Sequence, residues 1–500
     1  MASEPNAVAE TSTASTTAYG LFIDNRFRDA ITGRTLGVVD PSDGSIFATI
    51  PRGDTDDIAV AVASARQAFD GAGTADGVWG RSTALERSRL LRKLADVVLA
   101  HVPELGALEA RDTGKPLRQG IADATALARY FEFYAGAADK LHGQTLPYQQ
   151  GYTVMTIREP HGVTGHIIPW NYPMQIFGRS VGAALAAGNA CVVKPAEDAC
   201  LSLLRIGEMA ASCGFPPGAL SIVTGLGTEA GAALASHPGI DHISFTGSPQ
   251  TGEHVASMAA RHHCPVTLEL GGKSPQLVFD DADLDNALPV LVNAIIQNAG
   301  QTCSAGSRLL VQRAIAPMIQ ERLSEIFAGL RAAPAMQDAD LGPLISRRQQ
   351  QRVWDCLSEA QSTGVRVLAQ GQIDPLAPAG GFYQVPVLLG EVPNGHRIEQ
   401  EEIFGPVLAL DIFDDESQAQ RKANATPYGL VAGIWTRDGA RQLRLARRLR
   451  AGQVFINNYG AGGGVELPFG GVGRSGYGRE KGFEALYGFT ALKTIAIRHD

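Results

Sequence analysis

The sequence predicts an α/β protein built around doubly wound parallel sheets. Strand-like and helix-like segments alternate from residue 163 onward, and a second alternating series begins at residue 275. Such alternation is typical of a parallel sheet with helices on both faces, an architecture that often binds nucleotides. At 500 residues the chain is too long for one hydrophobic core, so we expect it to divide into two or three domains.

The elements of the first series follow one another closely. Three amphipathic helices precede it, predicted over residues 56–69, 85–100 and 122–137. Buried strands are predicted over 163–168, 191–193, 220–223 and 240–245, with helices over 175–187, 201–213 and 230–235. We expect the three leading helices to cover the sheet that these strands form.

The second series has the same character. Its predicted strands are 276–279, 309–311, 407–412, 431–435 and 454–456, with helices such as 319–330 and 347–359 between them. An apolar, helix-like run over 288–299 leads into a Gly/Ser-rich turn, and 374–381 is a Pro/Gly-rich surface loop. Two alternating segments, 152–158 and 492–497, are predicted strands that need partners, because isolated strands are not stable.

Composition argues against several functional classes. The net charge is −8, 45% of residues are hydrophobic, and no patch of Lys and Arg suggests a nucleic-acid partner. No uninterrupted apolar stretch reaches transmembrane length, so no membrane partner is expected. Residues 1–18 are small and polar, lack the features of a targeting peptide, and are predicted to be a disordered tail.

The six cysteines are scattered along the chain without a CxxC pair. This pattern indicates a reduced, intracellular protein, and we expect it in the cytoplasm. Neither a disulfide framework nor a metal site is predicted.

One cysteine and one glutamate stand out chemically. Cys303 lies in the turn after the apolar run, and Glu269 ends an apolar strand that leads into a Gly pair. A thiolate can attack a carbonyl carbon, and a carboxylate in apolar surroundings can act as a general base. Taken alone, the cysteine is more often core packing and the glutamate is more often exposed or paired.

The order of several motifs resolves these alternatives. The chain carries Pro169-Trp170-Asn171-Tyr172-Pro173, Lys194-Pro195-Ala196-Glu197, Phe245-Thr246-Gly247-Ser248, Leu268-Glu269-Leu270-Gly271-Gly272, Gly300-Gln301-Thr302-Cys303, Glu402-Ile403-Phe404-Gly405-Pro406 and Pro468-Phe469-Gly470-Gly471. From about Phe22 to Ile497 the sequence resembles the aldehyde dehydrogenase superfamily, in which these motifs occur in this order.

The resemblance implies a fold of three parts. They are a Rossmann-type NAD-binding domain over 19–144 and 161–271, an α/β catalytic domain over 272–470, and an oligomerisation segment over 145–160 and 487–500. In the family this segment forms a small sheet that crosses to a neighbouring subunit. A homodimer or homotetramer is therefore expected.

The resemblance also implies NAD as the cofactor. In the family, the residues matching Lys194 and Glu197 contact the ribose hydroxyls of adenosine, and a carboxylate there repels the 2′-phosphate of NADP. Glu402 and Phe404 match residues that hold the nicotinamide ribose and ring. The remaining cofactor-binding residues expected are Ile168, Pro169, Trp170, Gly227, Gly231, Phe245, Gly247, Ser248, Thr251, Leu270 and Gly271.

A phosphate-binding loop is predicted after the strand that ends at Phe245, where backbone N–H groups and Ser248 face a helix start. From the residues alone, a plain helix cap is an equal alternative. The GxGxxG pattern at residues 471–476 follows Pro468-Phe469-Gly470 instead of a buried strand. We therefore reject it as a dinucleotide fingerprint.

By resemblance, the reaction converts an aldehyde to a carboxylic acid. Cys303 attacks the aldehyde carbon, and Asn171 with the Cys303 N–H stabilises the oxyanion of the thiohemiacetal. Hydride leaves to the nicotinamide, and Glu269 activates water to hydrolyse the thioester. Without the resemblance, Asn171 would be read as a turn residue between two prolines.

The chain departs from the family pattern near Asn171. Many members carry Trp-Lys where this chain has Arg179 and Ser180, and that lysine is often assigned to a proton relay with a glutamate matching Glu480, a further predicted catalytic residue. Arg179 resembles one of two carboxylate-binding arginines of succinate-semialdehyde dehydrogenases, and Gln297 occupies the place of the other. The alternative is that Arg179 turns away and pairs with a nearby carboxylate.

The substrate is expected to be a polar-ended, semialdehyde or aromatic aldehyde. Its predicted contacts are Tyr172, Gln175, Arg179, Gln297, Thr302, Ser304 and Phe469. Few bulky side chains occupy the Gly-rich loop over residues 457–469, which predicts a wide tunnel mouth. Two rival functions stay open, a CoA-acylating dehydrogenase and a non-catalytic binding or structural descendant. Against them stand Glu269, which the first rival typically lacks, and the retained Cys303 and Asn171.

Overall fold

A computed structural model of the chain describes residues 17–74, 76–393, 395–460 and 464–499. The predicted tail over residues 1–18 lies outside the described part except for its last two residues. Thr17–Ala18 forms a strand that pairs in parallel with Ile46–Pro51. For these two residues the prediction of disorder is wrong, because they join the sheet formed by Ile46–Pro51 and Thr35–Val39.

The strands of the first alternating series join three strands from outside it, at residues 21–23, 26–28 and 476–477, in an eight-stranded sheet. In spatial order its strands are Gly476–Tyr477, Val266–Glu269, His242–Thr246, Val163–Ile168, Ala190–Pro195, Leu220–Ile222, Leu21–Ile23 and Arg26–Arg28. The helices of this half are Thr55–Asp70, Ala84–Ala100, Val102–Thr113, Leu117–Ala137, Pro173–Ala187, Leu201–Cys213, Ala232–Ser236 and Pro249–Ala260. The five strands from Val266–Glu269 to Leu220–Ile222 run parallel, as the alternation predicts.

The second series forms a seven-stranded sheet. In spatial order its strands are Arg366–Gln370, Val387–Gly390, Val407–Phe413, Arg308–Gln312, Pro275–Val278, Val431–Trp435 and Gln453–Ile456. Its helices are Leu284–Ile296, Ala316–Gly329, Arg347–Ser362, Arg397–Gln400, Glu416–Ala423 and Gly439–Arg448. The two strands Arg366–Gln370 and Val387–Gly390 were not predicted, and a short ladder joins Arg331–Ala332 to Gln372–Ile373.

The apolar run before Cys303 is not one continuous helix. The helix ends at Ile296, and Asn298 and Ala299 adopt left-handed backbone angles, with φ of 48° and 53°. The prediction of a helix-like run to residue 299 is therefore wrong over its last residues. Hydrogen bonds from the Asn298 side chain to Asn171 O, and from the Asn298 N–H to Gln119 Oε1, hold the chain in this turn.

The two isolated strands pair with each other. Tyr152–Pro160 and Thr490–Arg498 run antiparallel along their full lengths, and Thr145–Leu146 adds a short third strand. The residues of Thr490–Arg498 alternate poorly in burial, and Leu492 and Ile497 are exposed. The short helix Glu484–Gly488 leads into this sheet. Within the described ranges, no helix has both the length and the apolar character needed to cross a membrane.

A buried cluster of three charged side chains lies under the start of helix Pro173–Ala187. The Lys115 ammonium is 2.9 Å from Glu109 Oε1 and 2.5 Å from Asp123 Oδ2, and all three side chains are essentially inaccessible to solvent. Glu109 also accepts from the N–H of Met174. Burial raises the pKa of Glu109 to about 7, while Lys115 opposes that shift. This ion triad fixes the helix that follows Asn171.

Replacing the cation of the triad should destabilise the protein strongly. Lys115→Met leaves two buried carboxylates without their counter-ion, and we expect it to lower the free energy of unfolding by ~3–5 kcal/mol. The measurement is urea unfolding followed by circular dichroism. Arg313→Met, which breaks an exposed pair with Asp414, is the matched control and should cost less than ~1 kcal/mol. Equal losses for the two variants would contradict a stabilising role for the triad.

Candidate active site

Parallel pairing brings the ends of several strands to one edge of the eight-stranded sheet. Ile168 pairs with Pro195, and Thr246 pairs with Glu269. Because parallel strands end on the same side, ligands bind beyond this edge in open α/β sheets. The segments that follow these strands are those predicted to hold the cofactor: residues 168–171, 194–197, 245–248 and 269–271. The structure therefore brings the predicted cofactor residues into one region.

Cys303 lies in a turn beside this edge and is partly buried. It packs against an apolar cluster that includes Leu430, Val431 and Phe469. Burial raises the pKa of the Cys303 thiol to about 12, and the negative charges of Glu402 and Glu269 add to the shift. The positive charge of Arg179 opposes it. The thiol is thus protonated at neutral pH in the resting site, and groups around it decide how easily it ionises.

Glu269 ends its strand as a buried carboxyl group, 1% exposed. Neither of its oxygens has a hydrogen-bond partner among the described residues. Burial, followed by the charge of Glu480, raises the pKa of Glu269 well above its usual value, while Arg179 and Arg479 oppose the shift. A buried, unsatisfied carboxyl group costs free energy and is a recognised mark of a functional site.

Asn171 is buried in the turn after strand Val163–Ile168. Its side-chain amide donates to Gln301 O at 3.0 Å, and its own backbone oxygen accepts from Asn298 Nδ2 at 2.9 Å. These two bonds tie the turn of Asn171 to the segment that carries Cys303. An amide nitrogen has two N–H groups, so one remains free to donate to an oxyanion.

Arg179 and Glu480 form a buried ion pair, with Arg179 Nε 2.5 Å from Glu480 Oε2. Arg179 Nη2 also donates to Thr246 Oγ1 at 3.2 Å, and the guanidinium lies 5.0 Å from the ring centroid of Phe469. Of the two alternatives for Arg179, the structure shows pairing with a carboxylate. Glu480 thus has a cationic partner in Arg179. A contact between Arg179 and substrate stays a prediction.

A second buried cation, Lys194, lies near the end of strand Ala190–Pro195, among the residues predicted to contact the adenosine ribose. Lys194 Nζ is 2.8 Å from Glu197 Oε2. Burial alone would raise the pKa of Glu197, but the charge of Lys194 and hydrogen bonds from Lys194 and the Gly227 N–H lower it. Gly231 lies against the aliphatic stem of Lys194. The predicted cofactor residues of this end therefore form one cluster with an ionised carboxylate.

The loop after strand His242–Thr246 begins helix Pro249–Ala260. Ser248 caps this helix, because its hydroxyl accepts from the Thr251 N–H at 3.2 Å. Gly247 lies close to the Phe245 ring, and Leu270 packs against the same helix. The capping alternative is thus observed, and a phosphate contact by this loop stays a prediction.

Glu402 lies beside the Gly pair that follows Glu269. Its Oε1 accepts from the Gly272 N–H at 3.0 Å, and a side chain at Gly271 would collide with its carboxyl group. Burial raises the pKa of Glu402 to about 7, opposed by the Gly272 hydrogen bond. The rings of Trp170 and Phe404 meet edge to face, with centroids 5.4 Å apart. Phe404 itself has a φ of 59°, and Pro169 directly precedes Trp170.

The predicted substrate residues fall into three groups. Tyr172 OH bonds with Thr302 Oγ1 at 3.0 Å and accepts from Gln297 Nε2 at 2.6 Å. The side-chain amide of Gln175 donates to Asp123 of the ion triad at 2.5 Å. Beside Cys303, Ser304 O accepts from the Tyr459 hydroxyl at 2.5 Å, and Phe469 lies under Arg179.

The predicted wide tunnel mouth falls partly outside the described residues, because residues 461–463 of its loop are not described. On either side, the structure places Tyr459 and Glu466. Glu466 forms an exposed ion pair with Arg129 at 2.5 Å. Within the described ranges, no cluster of three His, Cys, Asp or Glu side chains is suited to hold a metal ion.

Several residues near the site carried no signal in the sequence. Lys273 follows the Gly pair, and its ammonium is buried without a hydrogen-bond partner among the described residues. Burial lowers the pKa of Lys273 to about 7. Ser244 donates to Glu480 of the Arg179–Glu480 pair. Nothing in the local pattern separates these residues from ordinary strand or loop positions.

Comparisons with known proteins agree with the geometry. Residues 27–495 match the model of the aldehyde dehydrogenase family. A crystal structure of a putative aldehyde dehydrogenase from Burkholderia cenocepacia has 69% identity and a TM-score of 0.94, covering 96% of this chain and 100% of that one. The NAD⁺ complex of an aldehyde dehydrogenase from Bacillus cereus has 38% identity and a TM-score of 0.93, covering 97% of both chains.

A curated relative extends the comparison. Hydroxyisobutyraldehyde dehydrogenase of Mycolicibacterium austroafricanum is 39% identical over 494 residues, which cover 98% of this chain and 95% of the relative. The match of the family model from residue 27 to residue 495 includes the seven-stranded sheet, the eight-stranded sheet except Leu21–Ile23 and the start of Arg26–Arg28, the Cys303 turn and Glu269. The chain therefore belongs to the aldehyde dehydrogenase family of oxidoreductases.

Proposed function

We propose that this chain oxidises an aldehyde to its carboxylic acid with NAD, using Cys303 as the nucleophile and Glu269 as the general base for hydrolysis. The observation that carries the proposal is the buried carboxyl group of Glu269, which has no hydrogen-bond partner among the described residues. Glu269 and Leu270 directly precede the Gly pair, and a side chain at Gly272 would collide with Cys303 O. Because burial raises the pKa of Glu269, its ionised form is a stronger base than an exposed carboxylate.

The residues present fit NAD. The Lys194–Glu197 pair offers a cation and an ionised carboxylate to ribose hydroxyls. Glu402 offers carboxyl oxygens to a second ribose, and the edge-to-face rings of Trp170 and Phe404 offer an aromatic surface to the nicotinamide. Absence of a side chain at Gly271 leaves space beside Glu402. When bound, NAD supplies the hydride acceptor. The relative from Bacillus cereus, whose structure holds NAD⁺, supports this assignment.

The chain's own residues then perform acylation and hydrolysis. The Cys303 thiol gives up its proton to water, the thiolate sulfur forms a bond to the aldehyde carbon, and the carbonyl oxygen takes the negative charge. The free N–H of Asn171 and the Cys303 N–H donate to that oxygen, each such donor lowering the barrier by ~3 kcal/mol. After hydride leaves the carbon, a thioester remains on Cys303. Glu269 takes a proton from water, whose oxygen attacks the thioester and releases the acid.

The rival functions find less support. A CoA-acylating enzyme passes the acyl group to a thiol and has no need of a general base, whereas Glu269 is present, buried and unsatisfied. A non-catalytic descendant would have lost Cys303, Glu269 or Asn171, and all three occupy the site.

We further propose a polar-ended, semialdehyde or aromatic aldehyde as substrate. The hydroxyls of Tyr172 and Thr302 and the amide of Gln297 next to Cys303 support a polar substrate. Assembly as a homodimer or homotetramer would use the sheet of Tyr152–Pro160 and Thr490–Arg498, whose exposed Leu492 and Ile497 need covering. The cytoplasm is the proposed location, since the cysteines are free.

Removing the nucleophile tests the assignment directly. Cys303→Ala should abolish NADH production while NAD still binds, because no other residue can carry the acyl group. Turnover is followed by NADH absorbance, and NAD binding by calorimetry. The control is Cys264→Ala, which removes another partly exposed thiol and should leave turnover unchanged. Substantial turnover by Cys303→Ala would place the nucleophile elsewhere.

Replacing the general base should separate the two halves of the reaction. Glu269→Gln should release a rapid burst of NADH followed by slow turnover, because acylation proceeds while hydrolysis lacks its base. Stopped-flow absorbance records both phases, with and without added CoA. Glu466→Gln, at an exposed carboxylate, is the control. If burst and steady state fell equally, a purely hydrolytic role would be wrong.

The cofactor preference depends on the charge of Glu197. Unpaired like charges in a site cost several kcal/mol, so the wild type should favour NAD. Glu197→Ser should raise kcat/KM for NADP relative to NAD by ~10-fold or more. Glu229→Ser is the control, because that carboxylate pairs with Arg52 instead. A wild-type preference for NADP would contradict this reading.

A further inference from the structure

A line of buried polar side chains leads to Glu480 from the middle of the eight-stranded sheet. His166 Nδ1 is 2.5 Å from Ser180 Oγ, Ser180 donates to Ser244 Oγ at 3.0 Å, and Ser244 donates to Glu480 Oε1 at 2.5 Å. These four side chains come from two strands, a helix and the loop that follows Gly476–Tyr477. All four are at most 3% exposed, and the mechanism above does not use them.

The hydrogen-bond donors along this line of side chains all point toward Glu480. Ser244 donates to the carboxylate and Ser180 donates to Ser244, so the Ser180 oxygen accepts a hydrogen bond from the His166 Nδ1–H. His166 Nε2 then faces the hydroxyl of Thr164 at 2.8 Å. Burial lowers the pKa of His166 to about 3, which keeps the ring neutral with one N–H. Aligned donors polarise one another and stabilise a negative charge at their end.

Glu480 has a partner on each of its two carboxylate oxygens. Oε1 accepts from Ser244, and Oε2 pairs with Arg179. The guanidinium is fixed at three points, Glu480, Thr246 and the face of the Phe469 ring. Phe469 belongs to the apolar cluster against which Cys303 packs. The geometry therefore keeps a permanent positive charge close to the sulfur. Arginine does not give up its proton in proteins, so it can stabilise charge there without relaying protons.

We propose that Arg179 is a positioning residue for the nucleophile, whose guanidinium favours the thiolate of Cys303, and that the chain His166–Ser180–Ser244 holds Glu480 and thereby Arg179 in place. The inference rests on the proposed function, in which Cys303 is the nucleophile. In the step concerned, the S–H bond breaks, the electron pair stays on sulfur and the proton leaves to water.

The charges that face Cys303 make this role necessary. Glu269 at the end of its strand and Glu402 before strand Val407–Phe413 are carboxyl groups, and both disfavour a thiolate. Tyr459, from the segment after Gln453–Ile456, adds a phenol whose ionised form would be a third negative charge. Arg179, on helix Pro173–Ala187, is the cation that acts on Cys303 from these surroundings.

The test measures the thiolate directly, without substrate or cofactor. Iodoacetamide alkylates thiolates, so its rate at Cys303 between about pH 7 and pH 9 reports the ionised fraction. The rate is followed by mass spectrometry of the Cys303 peptide, with Cys264 in the same digest as the internal reference. Arg179→Gln should slow alkylation of Cys303 by ~10-fold or more, because a nearby opposite charge shifts a pKa by ~1 unit or more. Arg179→Lys should restore most of the rate.

Further variants separate charge from folding. Arg179→Gln leaves Glu480 buried without its partner, so the double variant Arg179→Gln/Glu480→Gln replaces the ion pair with two neutral amides and should also slow alkylation. Ser180→Ala, which interrupts the hydrogen bonds between His166, Ser180 and Ser244, should also slow the alkylation of Cys303, by a smaller factor. Arg129→Gln removes the exposed arginine that pairs with Glu466 and should leave the rate unchanged.

Each outcome decides a part of the proposal. An unchanged rate in the double variant would overturn the role of Arg179, and failure of Arg179→Lys to restore the rate would assign Arg179 a merely structural role. An unchanged alkylation rate in Ser180→Ala would show that the hydrogen bonds of His166, Ser180 and Ser244 do not hold Arg179 in place. Loss of the proposed function is distinguishable, since turnover by Cys303→Ala would refute the nucleophile while leaving the alkylation rates as they are.

Discussion

Parallel pairing of the central strands determines where chemistry can take place in this chain. Val163–Ile168 pairs with Ala190–Pro195 on one side and with His242–Thr246 on the other, and Val266–Glu269 continues the sheet. All four strands end at one edge, so side chains far apart in sequence face one cleft. Reversing any strand would carry its terminal groups to the opposite edge. This parallel pairing therefore determines the positions of the predicted cofactor residues, of Glu269 and of the helix that carries Arg179.

Burial of charge is the second constraint, and it sets the protonation of the site. Low polarity raises the pKa of Cys303, Glu269 and Glu402 together. Because these three acidic groups are neighbours and each resists ionisation, they do not all carry a negative charge at the same time. The buried cations Arg179 and Lys194 are each paired with a carboxylate, so the cleft holds few uncompensated charges. Ionisation of the nucleophile therefore depends on where a cation is fixed, which is a property of packing.

The sequence allowed both sheets and most of their strands to be predicted, because apolar periodicity and turn residues are local signals. Motif order predicted roles for Cys303, Glu269 and Asn171. In the structure Asn171 donates to Gln301 O, two residues before Cys303, and the charge of Glu269 acts on the Cys303 thiol. The left-handed turn at Asn298 and Ala299 depends on contacts with Gln119 and Asn171, which periodicity does not reveal. The partners of Lys115 and Ser244 could not be predicted either, because they come from distant segments. The local pattern indicates which face of an element a side chain lies on, but not which residue it contacts.

The glycine-rich segment 471–476 illustrates the difference between a pattern and its context. It is no nucleotide loop, because Gly476 pairs antiparallel with Glu269 and Ser475 donates to Gly271 O at 2.7 Å. Just before it, Gly470 has a φ of 154°, and a side chain there would come within 2.8 Å of Glu269 Oε1. Backbone is therefore packed directly against this carboxyl group. Because the backbone fills that space without donating to either oxygen, Glu269 has no hydrogen-bond partner among the described residues, and burial raises its pKa well above the usual value.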